Sequence, residues 1–302
     1  MTWLWIPITV FASFVQAIRT AAQKHLTTEL TTISTTFVRF LFGLPFVLAY
    51  LFGLKAYFQV DIPPLPGNFY AIVALAGLAQ VVATALLIYL FGLRNFAVGT
   101  TYARTEAFLT AMIGAAFFGE AIVLFGWVGV FISVVGVVLI TIAKTGVGGR
   151  QLLALLRDKA AWIGILSGAC FAVASLSIRK GNLILGVENF LFTAAVTLSV
   201  MLIMQTVAMF IYLLVTKPRQ FLVIARNWKV CVLVGITSMM GSTAWATAFA
   251  LQNASYVKAL AQVEFVFTLA ASFWFFKEES SSKELVGMAL VVLGIVVLVL
   301  FG

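Results

Sequence analysis

Apolar residues run along this chain in long blocks, and short polar clusters divide them. A membrane-spanning helix needs roughly 20 mostly apolar residues. Ten blocks meet that length: roughly 3–22, 34–54, 69–92, 99–119, 123–143, 161–180, 189–215, 231–251, 256–276 and 284–301. The divisions fall at turn-forming or charged segments: DIPPLPGN at 61–68, KTGVGGRQLLALLRDK at 144–159, TKPRQ at 216–220 and KEESSSKE at 277–284. Backbone groups in lipid must pair within their own segment or a closed barrel, and the short alternating segments of a barrel are absent from the sequence. The pattern therefore predicts an all-α polytopic membrane protein of ten transmembrane helices. The first block lacks a basic n-region and runs into polar helical sequence near Lys24, so it reads as a span and not as a cleaved signal.

The second half of the chain repeats the first. At one ungapped offset of 158 (264 − 106), Glu106 falls on Glu264, Thr110 on Thr268, Phe117-Phe118 on Phe275-Phe276, Glu120 on Glu278, Gly129 on Gly287 and Gly136 on Gly294. Duplicated membrane halves are the usual build of a secondary transporter. Five spans per half is an odd number, so the second copy enters the membrane from the opposite face and the repeats are inverted. The expected division is 1–145 for the first five-helix repeat, 146–160 for a linker and 161–302 for the second. Leu152, Leu153, Leu155 and Leu156 between Arg150 and Arg157 make the linker read as a short interfacial helix.

Composition sharpens this reading. Apolar residues make up 63% and charged residues 10%, where a soluble domain averages about 25% charged. The excess of basic residues, 19 Lys+Arg against 10 Asp+Glu, lies between the apolar blocks, so it carries topology and excludes a nucleic-acid surface. Loops after the odd-numbered spans hold Lys24, Arg94, Lys144, Arg150, Arg157, Lys159, Lys217, Arg219, Arg226, Lys229, Lys277 and Lys283. The opposite loops hold Lys55, Arg179, Lys180 and Lys258. The bias puts the first set in the cytoplasm and both termini outside. Cys170 and Cys231 lie in apolar sequence and read as small packing residues.

Phe118-Gly119-Glu120 closes span four and is followed by Gly126, Gly129 and Gly136. Phe276-Lys277-Glu278, Gly287 and Gly294 repeat the arrangement. In these residues the chain resembles the ten-helix, EamA-type branch of the drug/metabolite transporter superfamily, over essentially its whole length in two copies. The resemblance implies two five-helix repeats around a central substrate cavity, alternating access, a bacterial-type inner membrane, and export in preference to import. Two departures stand out: Lys277 replaces the glycine of the first copy, and spans four and nine carry no early proline.

Candidate chemistry lies in the charges inside the blocks. Glu106 stands about 10 Å into span four at 1.5 Å per residue, and Glu264 stands similarly deep in span nine. Intramembrane carboxylates are costly unless protonated, paired or facing water, which makes these two the proton-coupling candidates. A structural alternative is hydrogen bonding between helices. Glu106, Thr110 and Gly114 share a helix face by their spacing, as do Glu264, Thr268 and Ser272. Arg19, Arg39 and Arg104 cluster on the cytoplasmic side, and their repeat positions hold Ser177, Thr197 and Gln262. Such cations suit a carboxylate or phosphate, and the alternative is snorkelling to the interface. Arg104 sits about 200° round the helix from Glu106, so it does not share a cavity with it.

Span one carries a polar face of Gln16, Arg19, Thr20 and Gln23, and span eight carries Ser238, Ser242, Trp245 and Gln252. Span three adds Gln80 and Thr84, and span seven adds Thr193, Thr197 and Gln205. The substrate-binding candidates are Gln16, Arg19, Gln23, Arg39, Gln80, Thr84, Ser242 and Trp245. Helix-to-helix hydrogen bonding is the alternative for each hydroxyl. Gly129, Ser133, Gly136 and Gly294 permit close helix approach and read as a seam between the two repeats or between two protomers, the former preferred. Glu120 and Glu278, at span ends, read as solvated structural charges.

No zinc-ligand spacing surrounds the single histidine, His25, and no phosphate-binding loop occurs. The chain therefore reads as a transporter and not an enzyme, with no cofactor and no metal. The expected activity is secondary transport of a small polar organic metabolite such as an amino acid, coupled to protons, by a monomer or homodimer in the bilayer. One alternative is an organic-anion or phosphate-ester exchanger without proton coupling. Another is a membrane assembly or lipid-handling subunit.

Overall fold

The computed structural model describes residues 3–93, 105–145, 159–186, 188–264 and 281–301. Every regular element among them is helical. In chain order these are α1 (Trp5–Leu26), α2 (Thr32–Phe58), α3 (Gly67–Leu93), α4 (Glu106–Ile113), α5 (Leu124–Thr145), α6 (Lys159–Leu185), α7 (Phe190–Thr216), α8 (Gln220–Arg226), α9 (Trp228–Leu251), α10 (Ala254–Leu260) and α11 (Ser282–Phe301). Among the described residues, six stretches are long and apolar enough to cross a membrane: Trp5–Leu26, Thr32–Phe58, Gly67–Leu90, Ala161–Leu185, Phe190–Thr216 and Trp228–Leu251. Glu106–Phe118, Leu124–Ile140 and Leu285–Phe301 are shorter apolar helices.

Local chemistry sets several ends. The Thr31 hydroxyl accepts from the Ser34 N–H at the start of α2, and the Asn189 side chain accepts from Leu191 and Phe192 at the start of α7. Helix α4 widens into a π-helical turn over Gly114–Phe118 and stops at Gly119, whose φ of 68° favours glycine.

Helix packing follows the internal repeat. Helix α1 packs on α9 and α3 on α6, and each of these pairs is the other's image at the 158-residue offset. The pairs α2 with α7 and α5 with α11 each join an element to its own image, and α4 packs on α10. The glycines show why α5 and α11 come so close. A Cβ on Gly129 would stand 2.7 Å from the Gly294 carbonyl oxygen, and one on Gly136 would stand 2.6 Å from that of Gly287. Gly129 meets Gly294 while Gly136 meets Gly287, so the two helices run antiparallel. The glycine seam thus joins the two halves, as expected from the sequence.

Burial is inverted relative to a soluble protein. Phe117, Tyr57, Leu124 and Val215 are exposed, while Thr9, Ser13, Arg19, Gln23, Arg39 and Thr84 are buried. Such an apolar exterior suits lipid, and the buried polar groups sit between helices.

The structure corrects the sequence reading at several points. Span six does not end at 180: α6 continues to Leu185 and takes Arg179 and Lys180 out of the loop. The cause is tertiary: Arg179 finds carbonyl and carboxylate partners from distant segments at that depth. Glu120 is buried and not solvated. A turn at Ala261 and Gln262 interrupts span nine after α10, and Val263 and Glu264 are helical again. The loop after α7 contains α8, whose Phe221 packs edge-on against Phe37, 6.0 Å between centroids. The linker reading at 146–158, and Arg104, Thr268, Ser272 and Glu278, lie outside the described residues.

Candidate functional site

Four elements from both halves converge on one small cavity. Gln16 of α1, Glu106 and Ala107 of α4, Trp245 of α9, Lys258 of α10, and Ala261 and Gln262 of the following turn line it. It has room for about one water-sized sphere.

The geometry inside is specific. Lys258 Nζ lies 2.7 Å from Glu106 Oε1, with 9% of the lysine side chain and 12% of the glutamate side chain exposed. The same ammonium stands 4.1 Å from the Trp245 ring centroid and 5.5 Å from that of Phe249. The two rings stack at 5.9 Å and 22°, one helical turn apart on α9. A cation over aromatic faces gains from their quadrupoles, more so when desolvated. Trp245 Nε1 donates to Gln16 Oε1 at 3.1 Å, which fixes the indole against α1. Ser175 of α6 donates to Glu106 Oε1 at 3.5 Å. Thr110 Oγ1 turns back to the Glu106 carbonyl and leaves the carboxylate to these partners.

Arg19 and Arg39 are both buried, at 4% exposure. The charges of Glu264 and Glu106 both reach Arg19. Its Nε and Nη1 have no hydrogen-bond partner, and neither does Nε2 of Gln23 one turn away. Arg39 is held more fully: Nη1 donates to Thr84 Oγ1 at 3.0 Å, and Nη2 reaches Ser242 Oγ at 3.5 Å. Gln80 is also engaged, its Oε1 accepting from Gln205 Nε2 at 3.1 Å, while the same nitrogen donates to the Gly77 carbonyl.

The structure thus sorts the sequence candidates into groups. Gln16, Glu106 and Trp245 line the cavity. Glu264 is buried just beyond Gln262 and acts electrostatically on Arg19. Arg39, Thr84 and Ser242 form one tie joining α2, α3 and α9, and Gln80 joins α3 to α7. Arg19 and Gln23 are buried but do not line the cavity.

Sequence reasoning missed Lys258, Gln262 and Ser175. Lys258 was counted as a loop cation, although the span bounds of 256–276 already placed it inside an apolar block. Gln262 has both side-chain polar atoms buried without partners. Sequence reasoning also missed the cluster above the cavity. There the Glu120 carboxylate accepts from the backbone N–H of Ala254 at 2.7 Å and of Ser255 at 3.1 Å, and from the Ser255 hydroxyl. Arg179 Nε stands 3.4 Å from it. Arg179 also donates to the carbonyls of Phe249 and Gln252 and to Asn253 Oδ1.

Among solved structures, a crystal structure described only as that of a protein matches 98% of this chain and 95% of its own. Its TM-score is 0.68 at 14% sequence identity, a likeness of fold alone. No curated protein matches the chain. The EamA-like transporter family model matches twice, over residues 3–142 and 158–300. Both halves are thereby accounted for, and the chain belongs to the EamA-like transporter family, as a multi-pass integral membrane protein that transports small molecules.

Proposed function

We propose that the protein is a secondary active transporter of a small polar organic metabolite, an amino acid by charge class, working by alternating access with proton coupling at Glu106 and Glu264. One observation carries this reading: polar and charged side chains from both halves meet in a single interior cavity. Gln16, Glu106 and Ala107 come from the first copy, and Trp245, Lys258 and Gln262 from the second. A cavity lined by both halves changes its access when the halves rock against each other.

The frame we assign is ten spans in two inverted five-helix repeats, 1–145 and 161–302, around a linker at 146–160. The antiparallel glycine seam and the reciprocal packing of α1 with α9 and α3 with α6 support the inversion. Burial of Lys258 and the pairing of the partly buried Arg179 remove two cations from the outer-loop tally and leave Lys180 and Lys55, the latter paired with Asp61 at 3.1 Å. That supports a cytoplasmic face after the odd-numbered spans. The substrate ammonium and a proton compete for a glutamate, so proton entry drives substrate exit. This is the direction family resemblance favours, across a bacterial-type inner membrane.

The test is counterflow of radiolabelled L-amino acids in proteoliposomes with and without a pH gradient. Wild type exchanges substrate in both conditions and concentrates it only with the gradient. Glu106→Gln keeps exchange and loses gradient-driven accumulation. Accumulation that survives unchanged in both Glu106→Gln and Glu264→Gln would sink the coupling. A second reading has one observation behind it: Arg19, Arg39 and Lys258 outnumber Glu106 and Glu264 among these buried groups. That excess suits an organic-anion exchanger, in which Glu106→Gln leaves transport intact and Arg19→Ala abolishes it.

A further inference from the structure

We propose that Lys258 is the residue that binds the substrate carboxylate, and that its ion pair with Glu106 is the substrate-free form of the site, opened when a zwitterion inserts between them. The proposal rests on the transport reading above and adds a residue and a selection rule to it.

Lys258 is placed as a binding group and not as a strut. Its ammonium lies at the cavity wall between a carboxylate at 2.7 Å and an indole face at 4.1 Å. The pair fills a site whose remaining wall is polar and under-used. Gln262, 2% exposed, has neither its amide nitrogen nor its amide oxygen hydrogen-bonded. Buried polar groups almost always find partners, so an amide left with a free donor and a free acceptor beside an ion pair points to a ligand. A ligand carrying both charges satisfies every group. Its carboxylate takes Lys258 Nζ and the Gln262 N–H, and its ammonium takes Glu106 and the Gln262 carbonyl oxygen.

Charge conservation sets the class. The closed pair is neutral. Inserting a zwitterion replaces one internal ion pair by two ligand ion pairs and leaves no charge alone. Inserting a simple anion strands Glu106, and inserting a simple cation strands Lys258. A stranded charge inside the membrane is the costly outcome. The site therefore selects for both groups on one small molecule. The stacked Trp245 and Phe249 rings, which hold the ammonium of Lys258 in the closed form, would then present a flat apolar wall. The lysine belongs to the second copy only, since its position in the first copy is Thr100.

The experiment uses the full-length protein in detergent and in proteoliposomes. The probes are the L-α-amino acids, each beside its amide, which keeps only the positive charge, and its N-acetyl form, which keeps only the negative. Competition against a transported amino acid gives relative affinities. Wild type should prefer the zwitterion over both derivatives by on the order of 10- to 100-fold, the scale of one charge-assisted contact. Lys258→Gln should erase the preference over the amide and keep the preference over the N-acetyl form. Glu106→Gln should do the reverse. The double variant Glu106→Gln with Lys258→Gln replaces the pair by two neutral amides and should fold while preferring neither. A merely structural pair would shift all three ligands together and leave the ratios unchanged, which overturns the proposal while transport stands. Counterflow of another solute class with no α-amino acid bound overturns it too. No transport of any polar solute would end the transport reading and this one with it.

Discussion

Glu120 offers the sharpest energetic test, because sequence and structure assign it opposite environments. As a solvated span-end charge it would tolerate alanine within about 0.5 kcal/mol. In the structure its side chain is 4% exposed and its two oxygens hold the start of α10. Three donors reach it: the N–H of Ala254, the N–H of Ser255 and the Ser255 hydroxyl. Gly114 makes the approach possible, since a Cβ there would stand 3.1 Å from both Glu120 Oε2 and Ser255 Oγ. Removing one partner of a buried charge pair costs about 3–5 kcal/mol, and Arg179 would be the charge left behind. Glu120→Ala should therefore lose about 3–5 kcal/mol. Glu120→Gln keeps one acceptor and should lose about 1.5–3, a charge-assisted hydrogen bond's share. Arg179→Ala should be nearly as damaging as Glu120→Ala, and the double variant should cost less than the sum of the two. The assay is denaturant unfolding in detergent micelles, read by circular dichroism. A Glu120→Ala loss under about 0.5 kcal/mol, or strict additivity with Arg179→Ala, would refute the buried cluster.

Two further perturbations probe the frame. Gly136→Val should destabilise by about 1–3 kcal/mol or prevent folding, because the backbone of Gly287 and Val291 stands within 2.7 Å of the new Cβ. Gly53→Ala on α2, with nothing within 4 Å, should be neutral or raise stability by up to about 1 kcal/mol; melting temperatures of the two variants test the contrast. Arg39→Lys should lose one of the contacts to Thr84 and Ser242, about 1.5–3 kcal/mol, and the pair Arg39→Lys with Thr84→Ala should fall short of the summed losses in the same assay.

The repeat, the helical class and the glycine seam were legible in the sequence, because each leaves a periodic or aligned mark. Length and hydropathy suffice for a span, and an offset alignment suffices for a repeat. Gln16, Glu106 and Trp245 were legible too, as polar or bulky residues inside apolar blocks. What failed were the places where a charge stops behaving as a boundary. Arg179, Lys180 and Lys258 look like loop cations when only their neighbours along the chain are read. Arg179 stays in the helix because Glu120, 59 positions earlier, and the carbonyl ends of α9 satisfy it. Lys258 stays inside because Glu106, 152 positions earlier, pairs with it. Such partners are invisible to any local window. Arg39, Thr84, Ser242 and Gln80 are polar residues on inward faces whose partners, again distant in the chain, join them at two tie points between helices.

Divergence between the copies follows from the same electrostatics. Under the internal repeat, each charge in the first half has an image position in the second. The glutamates are kept in both copies, as Glu106 with Glu264 and Glu120 with Glu278. The cations are not: Arg19 faces Ser177 in the alignment, Arg39 faces Thr197, Thr100 faces Lys258 and Ala21 faces Arg179. A fully symmetric site would carry each cation twice within one low-dielectric interior, where like charges repel strongly and few partners exist. Arg19 and Arg39 already bring two buried cations into this interior. Adding an arginine at Ser177 and at Thr197, both buried with hydroxyls that have no partner, would place further like charge in the same interior. The copies therefore keep their shared backbone and seam, where symmetry stabilises packing. They differ at the cations, and the Lys258–Glu106 pair joins a cation unique to one copy to a carboxylate common to both.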